Sequence, residues 1–243
     1  TTINCILNAV KKTAGQILIF DKDHITDEIE IKDKIGVVFD ENHFPDIFTP
    51  IEIGTYMSGI YSNWDWPAYR SYLKQFQLSE HKKVKDFSRG MKVKLAFAVA
   101  LSHKAEFLIL DEATSGLDPI VRDDILEILI DFVQDENHSV LFSSHITSDL
   151  EKVADYITFI HKGKRLFSCP KDDLMDKYGI VSCRTAVFAL LDQTDIVAYR
   201  KEDYQVKVLV RDRHLAAKKY PEAIVEPAAM DDIMLFYVRG EQP

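Results

Sequence analysis

Cysteine is scarce and unpatterned. Cys5, Cys169 and Cys183 are the only three. They neither pair evenly nor show metal-ligand spacing, which argues against a disulfide framework and a zinc site and reads as free thiols in a reducing compartment. No apolar run approaches the ~20 residues that a bilayer-spanning helix needs, and no charged-then-apolar secretory leader is present. If the chain serves a membrane process, another polypeptide is expected to cross. Positive charge is also short: 39 acidic residues against 30 Lys and Arg leave a net −9, which disfavours nucleic-acid binding through a general basic surface. Internal repeats and low-complexity tracts are lacking as well.

What remains is the makeup of a folded protein. The 243 residues, 47% hydrophobic and 28% charged, suffice for one large domain, or a medium and a small one, with a sizeable core. Ile3, Ile6, Leu7 and Val10 have helical spacing across residues 1–12, and 16–20 is strand-like. The apolar run Ile35-Gly36-Val37-Val38-Phe39 predicts a buried strand. Helices are predicted across 51–78, broken near 63–67. Ser88 is placed to cap a helix over 89–103, and 107–110 reads as a core strand. Asp118-Pro119 is an N-cap with Pro at the first helical position, leading into Val121, Ile125, Ile128, Leu129 and Phe132 at helical spacing. The next strand is 140–142. This alternation predicts α/β architecture, a mostly parallel sheet covered by helices. After residue 165 the pattern changes. Arms at 196–199 and 205–210 suggest a hairpin around Lys201-Glu202-Asp203. A helix near 214–218, a strand at 224–225 and a helix at 230–238 complete a small α+β unit without a catalytic signal.

Four short segments carry chemistry. Leu108-Ile109-Leu110-Asp111-Glu112 is an apolar strand ending in two carboxylates, at the edge where α/β sheets bind ligands; apolar-Asp-Glu is common, and alone it reads as a strand followed by a polar turn. Ser115-Gly116-Leu117-Asp118 follows at once, and Asp118 there is either an N-cap, an interface residue or both. Phe87-Ser88-Arg89-Gly90-Met91 offers a helix N-terminus, a hydroxyl and a glycine that admits close backbone approach, which suits phosphate and also a plain capped helix start. Ser143-Ser144-His145 ends an apolar strand with a histidine, in most settings a structural residue.

In this order and spacing the four segments resemble the ATPase subunit of an ABC transporter, and in particular the bacterial exporter branch of bacitracin, lantibiotic and multidrug systems. The resemblance covers residues 1 to about 165 well and the tail more weakly. It implies a P-loop NTPase-like, RecA-like α/β core (1–165) with a helical signature subdomain at about 45–105 and a C-terminal α+β extension (166–243). It implies ATP and Mg²⁺ as ligands. Asp111 would hold the metal and Glu112 would activate the attacking water; His145 would be the switch histidine at the γ-phosphate. Ser88, Arg89 and Gly90 would form the signature, although Arg89 and Met91 depart from the usual Gly and Gln. Arg89 then either adds charge near the partner's nucleotide or faces solvent. Asp118 closes the D-loop. Asp40 stands where the family's Q-loop carries Gln, either near the metal through water or as a turn residue. Phe44, Phe48, Tyr56, Tyr61, Trp64 and Trp66 are candidates for a groove that receives a membrane subunit, or for local core.

The resemblance also exposes an absence. The phosphate-binding pattern G-x-x-x-x-G-K-[ST] occurs nowhere in the chain. Thr1-Thr2-Ile3 resembles what comes directly after that Lys, with Thr1 following the metal-binding hydroxyl or being it, so Thr1 and Thr2 are candidate nucleotide contacts. The start at Thr1, without Met and inside a helical pattern, leads to the expectation of upstream residues and of weak ATP binding without them. The implied partners are a transmembrane permease subunit and a second ATPase subunit, identical or not, with no nucleic acid. The implied place is cytoplasmic, peripheral at the inner face of the membrane without insertion. A non-transport ABC ATPase and a non-enzymatic interaction fragment remain as alternatives.

Overall fold

The computed structural model describes residues 1–41, 44–202 and 204–242. The chain divides into two compact units, Thr1–Ile146 and a second from Thr147 onward. The expected boundary at 165 falls inside a strand of the second unit. No helix among the described residues is long and apolar enough to cross a membrane.

The first unit runs α1 (Thr2–Ile6), β1 (Leu18–Ile19), β2 (Lys22–Asp23), α2 (Glu28–Asp33), β3 (Ile35–Phe39), α3 (Pro50–Met57), α4 (Trp66–Gln75), α5 (Arg89–Leu101), β4 (Phe107–Asp111), α6 (Pro119–Phe132) and β5 (Ser139–Ser143). Strands β3, β4 and β5 form a parallel sheet in that order, with Phe39 opposite Asp111 and Asp111 opposite Ser143. Alternate side chains explain why β3 and β4 read as unbroken apolar runs. Ile35, Val37, Phe39, Phe107 and Ile109 share one face with Ile3 and Leu7 and with Ile19 and Ile31. On the other, a Cβ at Gly36 would meet the Leu108 side chain and the Ala100 carbonyl oxygen, at 2.6 and 2.8 Å. Helix α5 therefore lies directly on β3. Leu108, Ile109 and Leu110 are fully buried, each worth about 1.5–3 kcal/mol of apolar burial.

Local chemistry sets several helix starts. Thr49 and Glu52 form a reciprocal capping box on α3, and Asp65 accepts the Ala68 N–H on α4. Helix α1 is shorter than its apolar spacing predicts. It ends at Ile6 because Asn8 turns left-handed (φ 55°) and the Ala9 N–H closes back on the Asn4 carbonyl at 2.9 Å. The strand expected at 16–20 pairs only over Leu18–Ile19.

The second unit runs α7 (Thr147–Val153), β6 (Tyr156–His161), β7 (Lys164–Pro170), α8 (Lys171–Lys177), β8 (Gly179–Cys183), α9 (Thr185–Phe188), β9 (Ile196–Lys201), β10 (Val206–Val210), α10 (Arg213–Lys219), β11 (Ile224–Pro227) and α11 (Met230–Arg239). Strands β6 and β7 form a ribbon whose two turn residues, Lys162 and Gly163, both have positive φ. The other four strands form an antiparallel sheet ordered β11-β8-β10-β9. One face packs Ile180, Val197 and Leu209 against Met230, Ile233 and Phe236 of α11. The other packs Val181, Val206 and Val208 against Ala216 of α10 and Leu191. The predicted hairpin is present as β9 and β10, closed by the Glu202 N–H on the Gln205 carbonyl; Asp203 lies outside the described residues. The free edge of β9 carries a bridge from Tyr199 to Glu241.

Candidate active site at the end of the parallel sheet

The C-terminal ends of β4 and β5 gather four polar side chains. Asp111 is the last residue of β4 and Ser143 the last of β5, and their register makes them neighbours. The Ser143 hydroxyl donates to Asp111 Oδ1 at 2.6 Å. The Glu112 N–H donates to the Ser143 carbonyl at 3.0 Å and lies 3.2 Å from its Oγ. Glu112 itself leaves the strand in the left-handed region (φ 55°), a conformation costing a non-glycine residue about 1–2 kcal/mol. That turn separates the two carboxylates, and Glu112 Oε2 meets His145 Nδ1 at 2.5 Å. His145 is held in a turn in which Ser144 Oγ accepts the Ile146 N–H at 3.0 Å.

A second group forms where α5 and α6 begin. Ser88 caps α5 by accepting the Met91 N–H, and Asp118 caps α6 by accepting the Val121 N–H at 3.1 Å, with Pro119 following. A Cβ on Gly90 would stand 3.4 Å from Val121 Cγ1, and one on Gly116 would stand 2.8 Å from Arg89 Nη1. Ser88, Arg89 and Asp118 are solvent-exposed.

The remaining candidates stand apart. Thr1 precedes α1 without a side-chain capping bond, Thr2 opens the helix, and Asp40 follows β3; all three are exposed. Among the described residues no side-chain hydrogen bond joins them to either group. Also among those residues, no cluster of three or more His, Cys, Asp or Glu could hold a metal ion. A cation caged by protein ligands alone is therefore a poor fit. One carboxylate, completed by substrate oxygens and water, is the arrangement Mg²⁺ favours, and Asp111 suits it.

The aromatic residues divide. Phe48 and Tyr56 line an open groove of about 640 Å³ with Glu52, Thr55, Gly59 and Ile60. Trp64 and Trp66 instead pack around Tyr69, whose ring centroid is 5.0 and 6.0 Å from theirs. The Tyr69 hydroxyl donates to the Pro50 carbonyl, and burial pushes its pKa far up. Tyr61 stacks on His103 at 3.8 Å, and Phe44 is half-buried. Ser143 has no role in the sequence reading, although its polar position opposite Asp111 follows once β4 and β5 are paired in parallel.

Comparison with known proteins finds similar sequences and a similar fold. The family described as ABC transporter matches residues 1–115. The chain is 33% identical over 211 residues to the bacitracin transport ATP-binding protein BcrA of Bacillus licheniformis, covering 85% of this chain and 67% of that protein. It is 32% identical over 172 residues to the lantibiotic transport ATP-binding protein SrtF of Streptococcus pyogenes, covering 68% and 70%. Its fold is similar to the dimeric, post-hydrolysis structure of the ATP-binding cassette MJ0796 bound to ADP and Pi, with a TM-score of 0.60 at 21% identity over 70% of this chain and 78% of that one. The chain thus spans about two thirds of the length of these two sequence relatives.

Proposed function

The chain belongs to the ABC transporter family of ATP-binding proteins, and from that premise we propose that it hydrolyses ATP to power export through a separate transmembrane permease. The observation that carries the reading is the Glu112–His145 hydrogen bond at the end of the parallel sheet, beside an Asp111 carboxylate already oriented by Ser143. In this reading Glu112 takes a proton from water. The water oxygen bonds to the γ-phosphorus, and the bond from that phosphorus to the bridging oxygen breaks with its electrons on ADP, releasing phosphate. His145 holds Glu112 in place through Nδ1. Mg²⁺, when bound at Asp111, supplies charge neutralisation for the phosphates.

The other assignments follow the same premise. By the resemblance, residues 1 to about 165 make up the ATPase domain and the rest an accessory extension, although the compact division falls at Ile146. Thr1 and Thr2 lie near the phosphates, and Asp40 approaches the metal through water. Ser88, Arg89, Gly90 and Asp118 work at the interface with a second ATPase subunit. The groove lined by Phe48, Tyr56 and Ile60 receives the permease, which keeps the protein at the inner face of the membrane. Bacitracin and lantibiotics, named in the descriptions of BcrA and SrtF, are the first substrates to try.

The test is Mg-ATP hydrolysis by residues 1–243 and by the protein with any residues its gene encodes before Thr1, each with and without the permease and beside Glu112→Gln. Turnover abolished by Glu112→Gln supports the reading. Absence of Glu112-dependent turnover in every form rejects it.

A further inference from the structure

Arg89 is the first residue of α5, a 13-residue helix. Helix energetics do not favour a cation there, because the N-terminus already bears partial positive charge. Nor does an ion pair account for it, since no carboxylate among the described residues bonds it. What its side chain touches is a glycine. A Cβ at Gly116 would stand 2.8, 3.1 and 3.5 Å from Nη1, Cζ and Nη2 of Arg89. Three guanidinium atoms therefore occupy the space that a side chain at 116 would need.

Gly116 is the left-handed corner (φ 67°) of the turn that leaves β4. That turn is tied to itself: the Ser115 N–H donates to the Glu112 carbonyl at 3.0 Å, and the Leu117 N–H to the Thr114 carbonyl at 3.3 Å. Its first residue, Glu112, is also left-handed, so the carboxylate direction depends on how the whole turn is held. Gly90, the next residue of α5, approaches the start of α6 as well, where an added Cβ would stand 3.4 Å from Val121 Cγ1. The Arg89–Gly116 approach therefore connects the beginning of α5 to the turn that starts at Glu112.

We propose that Arg89 is a positioning residue for ATP hydrolysis: its guanidinium, resting on Gly116, holds the 112–117 turn so that the Glu112 carboxylate keeps its catalytic direction. The inference rests on the ATPase reading above. It requires glycine at 116 for space as well as for backbone conformation.

The experiment is steady-state ATPase kinetics on the complete gene product in its permease complex, for wild type, Arg89→Ala, Arg89→Lys, Gly116→Ala and the Arg89→Ala/Gly116→Ala pair. Arg89→Ala is expected to lower kcat roughly tenfold while KM for ATP and the thermal midpoint hold, since a small misplacement of a catalytic group is that costly. Arg89→Lys keeps the charge without the planar face and is expected to stay low. The double variant is expected to lose less than the product of the two single losses, the signature of residues in contact. An unchanged kcat in Arg89→Ala, a rise in KM equal to the fall in kcat, or multiplicative losses would each overturn the inference; the KM result would mark Arg89 as a nucleotide contact instead. Wild-type protein without Glu112-dependent turnover would overturn the ATPase reading and this inference with it, whereas normal wild-type turnover beside an unaffected Arg89→Ala removes this inference alone.

Discussion

His145 Nδ1 lies 2.5 Å from Glu112 Oε2, and the two side chains are 67% and 35% exposed. A pair so open to water contributes at most about 1 kcal/mol to stability. Its loss therefore separates function from folding. His145→Ala is expected to reduce ATP turnover by about 100-fold or more, with a urea midpoint that moves little. A matching loss of stability would mean that the pair is structural.

Ser143 bridges both carboxylate residues, donating to Asp111 and accepting from the Glu112 backbone. Removing the hydroxyl frees the Asp111 carboxylate to rotate. Ser143→Ala is expected to raise the Mg²⁺ concentration for half-maximal turnover about tenfold, the usual size for a group that orients a ligand. A magnesium titration at saturating ATP measures it, and an unmoved midpoint would show that Ser143 does not orient the metal-binding carboxylate.

Gly36 sits where β3 meets α5, with the Ala100 carbonyl oxygen 2.8 Å from the position of an added Cβ. Backbone cannot step aside as a flexible side chain can. Gly36→Ala is expected to cost about 1–3 kcal/mol by overpacking, read as a lowered urea midpoint. A variant as stable as wild type would show that α5 shifts freely on the sheet.

His103 is buried, with Nδ1 3.2 Å from the Asp33 carbonyl and its ring stacked on Tyr61. Burial holds its pKa below the ordinary 6.5, against the pull of the Asp33 carbonyl and carboxylate. A depressed folded pKa means that the unfolded chain binds the proton first, so stability present above pH ~6.5 is lost as pH falls toward the folded value. Asp33 stays ionised in this range: its carboxyl is partly desolvated, but Ser62 holds it below the usual carboxylate value. The urea midpoint of wild type is expected to fall more between pH 7.5 and 5.5 than that of His103→Asn, which keeps a donor for Asp33 without titrating. Parallel pH profiles would exclude His103 as the cause.

Sequence reading succeeded where chemistry is local. Ser88, Asp118 and Pro119 start their helices by bonds within one turn, and the apolar runs of β3 and β4 follow from burial on both faces of a parallel sheet. It failed where a distant or unpatterned partner decides. Helix α1 ends at Ile6 because Asn8 turns left-handed, a stop signal that the apolar spacing out to Val10 masked. Residues 147–183 hold α7, β6, β7, α8 and β8, yet exposed Tyr156 and Ile160 blur the alternation that would reveal the ribbon. Ser143 acquires its role only through register with Asp111. Asp111, Glu112 and His145 were legible as a set, but the left-handed turn that parts the carboxylates was not.

The bridge between Tyr199 and Glu241 has a consequence for handling the molecule. It gives the outer strand of the four-stranded sheet a hydrogen-bonding neighbour from its own chain, and Pro227 interrupts donors on the opposite border. Open strand borders recruit other chains. A fusion or affinity tag joined tightly after Glu241 would pull that short segment away and leave β9 a template for self-association, so a flexible spacer is needed to keep preparations monodisperse.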